Sequence, residues 1–260
     1  MMVGDVEARI VDVFVGPDAL GNPAGVVVDD VGLEDARMAA IAAEVGLSET
    51  AFVRPSPLGA SIRWFTPTCE VDICGHATMA AVAVLAAAHE PASETVIFTS
   101  RAGPLRARCA GQRASVDLPR RASTQTDLPA WARDLGALDA LAATGAILIE
   151  LGDPAWVRAL EPSMAEIAAE PFDLVVVWAL GGVGAEVTLR VFGPRIGLAE
   201  DPVTGSAQCS LGPAIAGRIG ASSFRAHQGS ARGGRVEVTV REHSVEISGS
   251  TRIRIDEVEG

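Results

Sequence analysis

Glu70, Asp72, Cys74 and His76 fall within seven residues of one another around Gly75, a density of acid, thiol and imidazole that can serve proton transfer or nucleophilic chemistry. Upstream, Glu49 stands in Ser48-Glu49-Thr50, between apolar Leu47 and Ala51-Phe52. A carboxylate placed among apolar neighbours is partly desolvated and suits general acid/base work. The same three residues also suit a helix cap, so the residues alone leave both readings open. A second acidic turn follows in the other half: Glu200-Asp201-Pro202-Val203-Thr204-Gly205-Ser206-Ala207. Asp201 there can bond its own turn and Ser206 can cap a helix. Either role is compatible with holding a ligand, because capping and ligand binding use the same backbone donors. A lone histidine such as His76 is more often a structural donor than a catalyst.

The elements that must position these groups are legible around them. From Ala77 to Ala88 the chain is Ala, Val, Leu, Met and Thr with no polar face. A helix apolar all round must be wrapped by other structure. Its N-terminus, Gly75-His76-Ala77, would direct unpaired N–H groups toward the acidic segment, where an anion can bind. After Ser206 a second small-residue helix runs through Leu211, Pro213, Ala214 and Ile215. His76 and Ser206 take equivalent places, which suggests an internal duplication with two helix ends that could face one cleft.

The remaining pattern is strand-rich. Strands are expected at Ala8–Val15, Ala24–Val28, up to Val53, Ile62–Phe65, Thr95–Thr99, Leu105–Cys109 and Ala114–Leu118. Leu33–Val45 reads as an amphipathic helix stopped by Gly46. Pro119–Gly145 looks like a crossover with a helix near Trp131–Leu135. Beyond it come a strand at Ile147–Leu151 and a helix at Pro162–Ala169. Two further strands, Leu174–Ala179 and Glu186–Phe192, are joined by a glycine-rich hairpin, Gly181-Gly182-Val183-Gly184. Phe224–His227, Arg235–Val240, Val245–Ser248 and Arg252–Ile255 complete the second half.

A chain of 260 residues that is 48% hydrophobic and 21% charged has the composition of a soluble globular protein with material for two cores. Its net charge of −12 argues against nucleic acid as a partner, and Arg120-Arg121 is its densest basic pair. Asp5, Glu7 and Asp12 interrupt the N-terminal apolar stretch, which fits neither a secretory signal nor a transit peptide. The apolar runs are too short to span a bilayer, so no membrane partner and a cytoplasmic location are expected. Four cysteines without Cys-x-x-Cys spacing give no sign of disulfides or zinc, and no metal is expected.

Arg63-Trp64-Phe65-Thr66-Pro67-Thr68 leading into Glu70 to Thr78, and Arg190-Val191-Phe192-Gly193-Pro194 leading into Glu200 to Ala207, resemble the phenazine-biosynthesis protein F (PhzF-like) family. Asp12-Val13-Phe14, Gly21-Asn22-Pro23-Ala24, Leu47 to Val53 and Gln228 to Gly234 match in the same order. The resemblance implies an α+β fold like that of diaminopimelate epimerase: two similar domains, each a strongly bent, barrel-like mixed sheet around a buried central helix. The boundaries would fall at 1–120 and 121–260, with the option of the last strand returning to the first domain. It also implies Glu49, His76 and Asp201 as catalytic groups, and Gly75, Gly205 and Ser206 as substrate-binding groups. No cofactor is implied, the ligand is a small carboxylated metabolite, and the assembly is a homodimer. Related racemases face two cysteines across their substrate. Here Cys74 holds the first such place, Thr204 stands at the second, and Cys209 lies too deep to substitute, so Cys74 is read as buried structure. The implied activity is an isomerase in which Glu49 moves a proton between carbons. An epimerase or racemase on the same scaffold, or a carboxylate-binding protein without catalysis, are the alternatives.

Overall fold

In the computed structural model, which describes residues 1–57, 59–88, 93–182 and 186–254, the chain separates into two units. The first comprises Met1–Val15, Asn22–Asp117 and the residues from Ser248 onward; the second comprises Gly16–Gly21 and Leu118–Ile247.

In the first unit eight strands close on themselves. Their order is Arg113–Pro119, Gly103–Ala110, Ser93–Ser100, Gly59–Phe65, Thr50–Ser56, Asn22–Val28, Arg9–Val15 and Ser244–Ile253, the last pairing back to the first. Asn22–Val28 runs parallel to Thr50–Ser56, and Gly59–Phe65 parallel to Ser93–Ser100, so the sheet is mixed. Strict alternation sets which face points inward: Leu105, Ala107 and Cys109 are buried, as are Ala114, Val116 and Leu118 on the neighbouring strand.

Helix α1 (Asp35–Val45) covers one outer face, where Met38, Ile41 and Ala42 pack with Val27, Phe52 and Phe65. It ends as expected at Gly46, whose φ of 67° lets its N–H reach the Ala42 carbonyl at 3.0 Å. Helix α2 (Gly75–Ala86) is buried along its whole length except Leu85. It packs against Arg9–Val15, Asn22–Val28, Thr50–Ser56, Ser93–Ser100 and Gly103–Ala110. Strands approach it from several sides because Ala at five of its twelve positions keeps the helix thin.

The expected gap between Val245–Ser248 and Arg252–Ile255 does not exist. Ser244–Ile253 is one strand, and its pairing with Arg9–Val15 slips between Ser250 and Thr251. Opposite that slip Phe14 is the extra residue of a bulge, at φ 67° with its ring fully buried. A bulge absorbs the irregularity that Gly249-Ser250 signals, without ending the strand. Ile255 lies outside the described residues.

The second unit has the strand order Gly234–Val240, Ser223–Gln228, Val187–Phe192, Leu174–Leu180, Ala146–Glu150, Asp139–Ala143, Ser123–Gln125. Three short helices, α3 (Ala130–Asp134), α4 (Pro154–Ala159) and α5 (Met164–Ala169), cover one face; Val157 and Ile167 pack there with Ile147, Ile149, Val175, Val177 and Phe192. The strands at Ser123–Gln125 and Asp139–Ala143 and the helix α4 went unread in the sequence. The first two are short and Ala- or Thr-rich, and α4 has six residues behind an Asp153 cap and Pro154. Leu180 and Val187 pair across the expected hairpin, although Val183 and Gly184 are outside the described residues.

Helix α6 (Gln208–Ile219) is this unit's counterpart of α2. Pro213 inside it has no N–H for the Cys209 carbonyl, and the Arg121 N–H supplies that partner at 2.9 Å. The architecture is thus the expected one, with two similar α+β units that each bend a mixed sheet around a small-residue helix. Among the described residues no helix is long and apolar enough to cross a membrane.

Candidate active site

Glu49 sits on the short corner between the end of α1 and the strand Thr50–Ser56, and caps no helix; the N-cap of α1 is Glu34. The corner is held from behind. The Gly25 N–H donates to the Glu49 carbonyl at 3.1 Å, and Gly25 lies opposite Thr50 in the parallel pair. A β-carbon on Gly25 would stand 2.8 Å from Thr50 Oγ1 and 3.1 Å from Val45 Cγ1, so only glycine permits this approach. The Glu49 side chain keeps 23% exposure.

His76 is the second residue of α2, with its side chain 7% exposed, and the fold brings it to Glu49. Nε2 lies 3.5 Å from Glu49 Oε2, inside ion-pair reach and longer than a good hydrogen bond. On the other edge of the ring Nδ1 lies 3.3 Å from Cys74 Sγ. Cys74 is pinned in turn, because its carbonyl accepts from Thr78 N at 3.2 Å and Thr78 Oγ1 at 2.6 Å. A carboxylate oxygen accepts, so the ring edge facing Glu49 is the one that can present Nε2–H, while Nδ1 faces the thiol. The result is a carboxylate, an imidazole and a thiol in line. Gly75 begins α2, and the N–H groups of Gly75, His76 and Ala77 precede the first intrahelical bond, Thr78 N–H to Cys74. An anion fits that end.

Of the other acids upstream of His76, Glu70 has a structural duty. Glu70 is gripped by Arg63 through two hydrogen bonds of 2.7 Å and by Arg101 at 3.0 Å. Bonding to Arg63, against the opposing effect of burial, holds the Glu70 carboxyl below the usual range. Arg63 also bonds Asp35 at 2.6 Å and lies 5.1 Å over the Phe65 ring. Asp72 is exposed.

Asp201, Gly205 and Ser206 lie in the second unit. Asp201 Oδ2 accepts from Thr204 Oγ1 at 2.6 Å, and its own N–H bonds the Val191 carbonyl. Ser206 does not cap α6; Ala207 is the N-cap, and the Gly205 and Ser206 carbonyls take the N–H groups of Gln208 and Cys209. Gln228, quoted in a motif but not singled out, organises this turn. Its Oε1 accepts from the Thr204 N–H at 2.8 Å, and its Nε2 donates to the Asp201 carbonyl at 2.8 Å. Arg190 grips Glu200 at 2.7 and 2.9 Å and lies 5.0 Å over Phe192, which repeats the Arg63, Glu70 and Phe65 arrangement of the first unit. Burial pushes the Cys209 thiol up to about 11, which keeps it protonated and inert.

The phenazine biosynthesis-like protein family matches residues 11–256. An uncharacterized isomerase of Pseudomonas aeruginosa is 40% identical over 245 residues, 94% of each chain. A phenazine biosynthesis protein of the PhzF family from Enterococcus faecalis superposes with a TM-score of 0.88 at 34% identity, covering 96% of this chain and 97% of its own. A hydroxyproline epimerase from Agrobacterium vitis shares the fold alone, with a TM-score of 0.66 at 13% identity over 96% of this chain and 91% of its own. On the family match and these relatives together, the chain belongs to the phenazine biosynthesis-like, PhzF-type family of isomerases.

Proposed function

We propose that this protein is a cofactor-independent isomerase that moves a proton between two carbons of a small unsaturated carboxylic acid. One observation carries the reading. A partly shielded carboxylate, Glu49, touches a buried imidazole, His76, at 3.5 Å beside the free N–H groups of α2. The substrate carboxylate would bind those N–H groups. Glu49 takes a proton from an allylic carbon; the C–H electron pair becomes a new double bond, and the old double bond accepts the proton at its far carbon. The proton count is unchanged. His76, with Nε2–H toward Glu49, orients the carboxylate and stabilises its charged form. Asp201 is proposed as a further polar partner of the substrate, to be read from the kinetics of Asp201→Asn.

Incubation in D₂O with a panel of cyclic and unsaturated carboxylic acids tests the reading. Wild type is expected to place deuterium on carbon, and Glu49→Gln is expected to lose at least about a hundredfold in that rate. Equal incorporation by the variant would remove Glu49 as the base.

A further inference from the structure

We infer that Glu49, Cys74 and His76 form a binding site for a thiophilic divalent cation such as Zn²⁺, and that the ion, once bound, blocks proton transfer by Glu49. The activity part of this inference rests on the function proposed above, whereas the binding part stands without it.

Carboxylate oxygen, thiolate sulfur and imidazole nitrogen are the donor types that zinc selects, and three protein ligands with one open position suffice for a stable site. One ligand atom from each residue lies within 4.8 Å of the other two. Sγ to Nδ1 is already 3.3 Å, and bonds of about 2.0 Å to nitrogen and 2.3 Å to sulfur span that separation across one tetrahedral ion. Cys74 and His76 are fixed by the start of α2 and are 6% and 5% exposed, so they form the rigid half of the site. Glu49 is the adjustable half. Its carboxylate now faces Nε2, the opposite edge of the ring, and being 23% exposed it can turn toward an ion at Nδ1. In doing so it gives up the oxygen that would take the substrate proton. Spacing hides such a site in the sequence, because Cys-x-His supplies two ligands and the third comes from a distant corner of the fold.

When the ion binds, the S–H bond breaks, sulfur keeps the electron pair and donates it to the metal, and the proton leaves to solvent. Affinity therefore falls as pH falls.

Titration of tag-free, reduced protein with Co²⁺, which reports thiolate ligation as a near-ultraviolet charge-transfer band and tetrahedral geometry as intense visible bands, is the direct test. Wild type is expected to show both with one ion per chain and to lose them when Zn²⁺ is added. Cys69→Ser, outside the cluster, should keep both bands, and Cys74→Ser should lose the charge-transfer band. Glu49→Gln should keep the band but bind Co²⁺ at least about tenfold more weakly. No thiolate band in wild type, or an undiminished band in Cys74→Ser, overturns the site. If Cys74→Ser does not fold, unchanged affinity in Glu49→Gln overturns it instead. Zn²⁺ should also suppress deuterium incorporation by wild type, with recovery on adding a chelator; an occupied site with unchanged incorporation overturns the blocking role. A protein that exchanges deuterium into no acid, yet shows the cobalt bands, would refute the proposed isomerase and leave the metal site standing.

Discussion

Asp12 and Glu150 are both buried carboxylates beside arginine, and they answer burial in opposite directions. For Asp12 burial pushes the carboxyl up, but bonds from Arg254 at 2.7 and 3.0 Å and from Arg252 at 3.3 Å overcome it and leave the carboxyl below its ordinary value. For Glu150 burial also pushes up, and Arg218 at 2.7 Å does not overcome it, because Arg218 is shared with Asp139 and Asp139 repels Glu150. The signs for stability follow. A depressed value means that Asp12 stabilises the fold above about pH 4 and that this contribution disappears as pH falls through the folded value. A raised value means that the folded state holds the Glu150 proton more tightly. Its contribution is then full below about pH 4 and is lost as pH rises through the folded value. Asp12→Asn should therefore cost roughly 2–4 kcal/mol at pH 7 and much less at pH 3. Glu150→Gln should gain stability relative to wild type as pH rises from about 4 to about 7. Urea unfolding of both variants at the two ends of the range reads these slopes directly.

At the scale of elements, α2 fixes the site because it is thin. Ala81 is completely buried, and a leucine there would force strands away from the helix axis. Ala81→Leu is expected to cost about 1–3 kcal/mol and to reduce deuterium incorporation, since His76 and Cys74 ride on the same helix. Ala43→Leu on the exposed face of α1 should change stability by less than about 0.5 kcal/mol, which controls for the substitution itself. The same helix explains what could be read before folding. A run without a polar face announced burial, and Gly46 announced the end of α1, because each is a local signal. Ser123–Gln125, Asp139–Ala143 and α4 carry weak local signals and are held by pairing and packing from elsewhere in the second unit. Glu49 and His76 were each legible from their motifs, but their 3.5 Å contact is tertiary. Cys74, read as buried structure, is buried and also touches the His76 ring, and no sequence pattern sets a side-chain direction toward an imidazole.

For the whole molecule, a net charge of −12 is carried by 33 acids against 21 arginines and lysines, all of the latter being arginine. The acids that matter for stability are those whose charged form the fold favours. In Asp29 burial is outweighed by Arg54 and by the N–H groups of Leu33 and Gly32; in Asp18 and Glu186 bonding to Arg235 and Arg225 leads. Together with Asp12 and Glu70 these five carboxyls all sit below their ordinary values. Between those depressed values and about pH 4 the unfolded chain binds more protons than the folded one, so stability must rise with pH across that window. Asp18 and Glu186 are well exposed and their pairs are screened by water and salt, so Asp12 and Asp29, each with a side chain 2% exposed, dominate. Calorimetric or urea unfolding should therefore show a fall below about pH 4, with net proton uptake on unfolding, from a plateau at higher pH that Glu150 tilts gently downward. Raising salt should lower the plateau little, because the dominant pairs are shielded from it. A flat profile down to pH 3, or a fall that 0.5 M salt abolishes on the order of completely, would assign the acid limb to exposed charge instead of to Asp12 and Asp29.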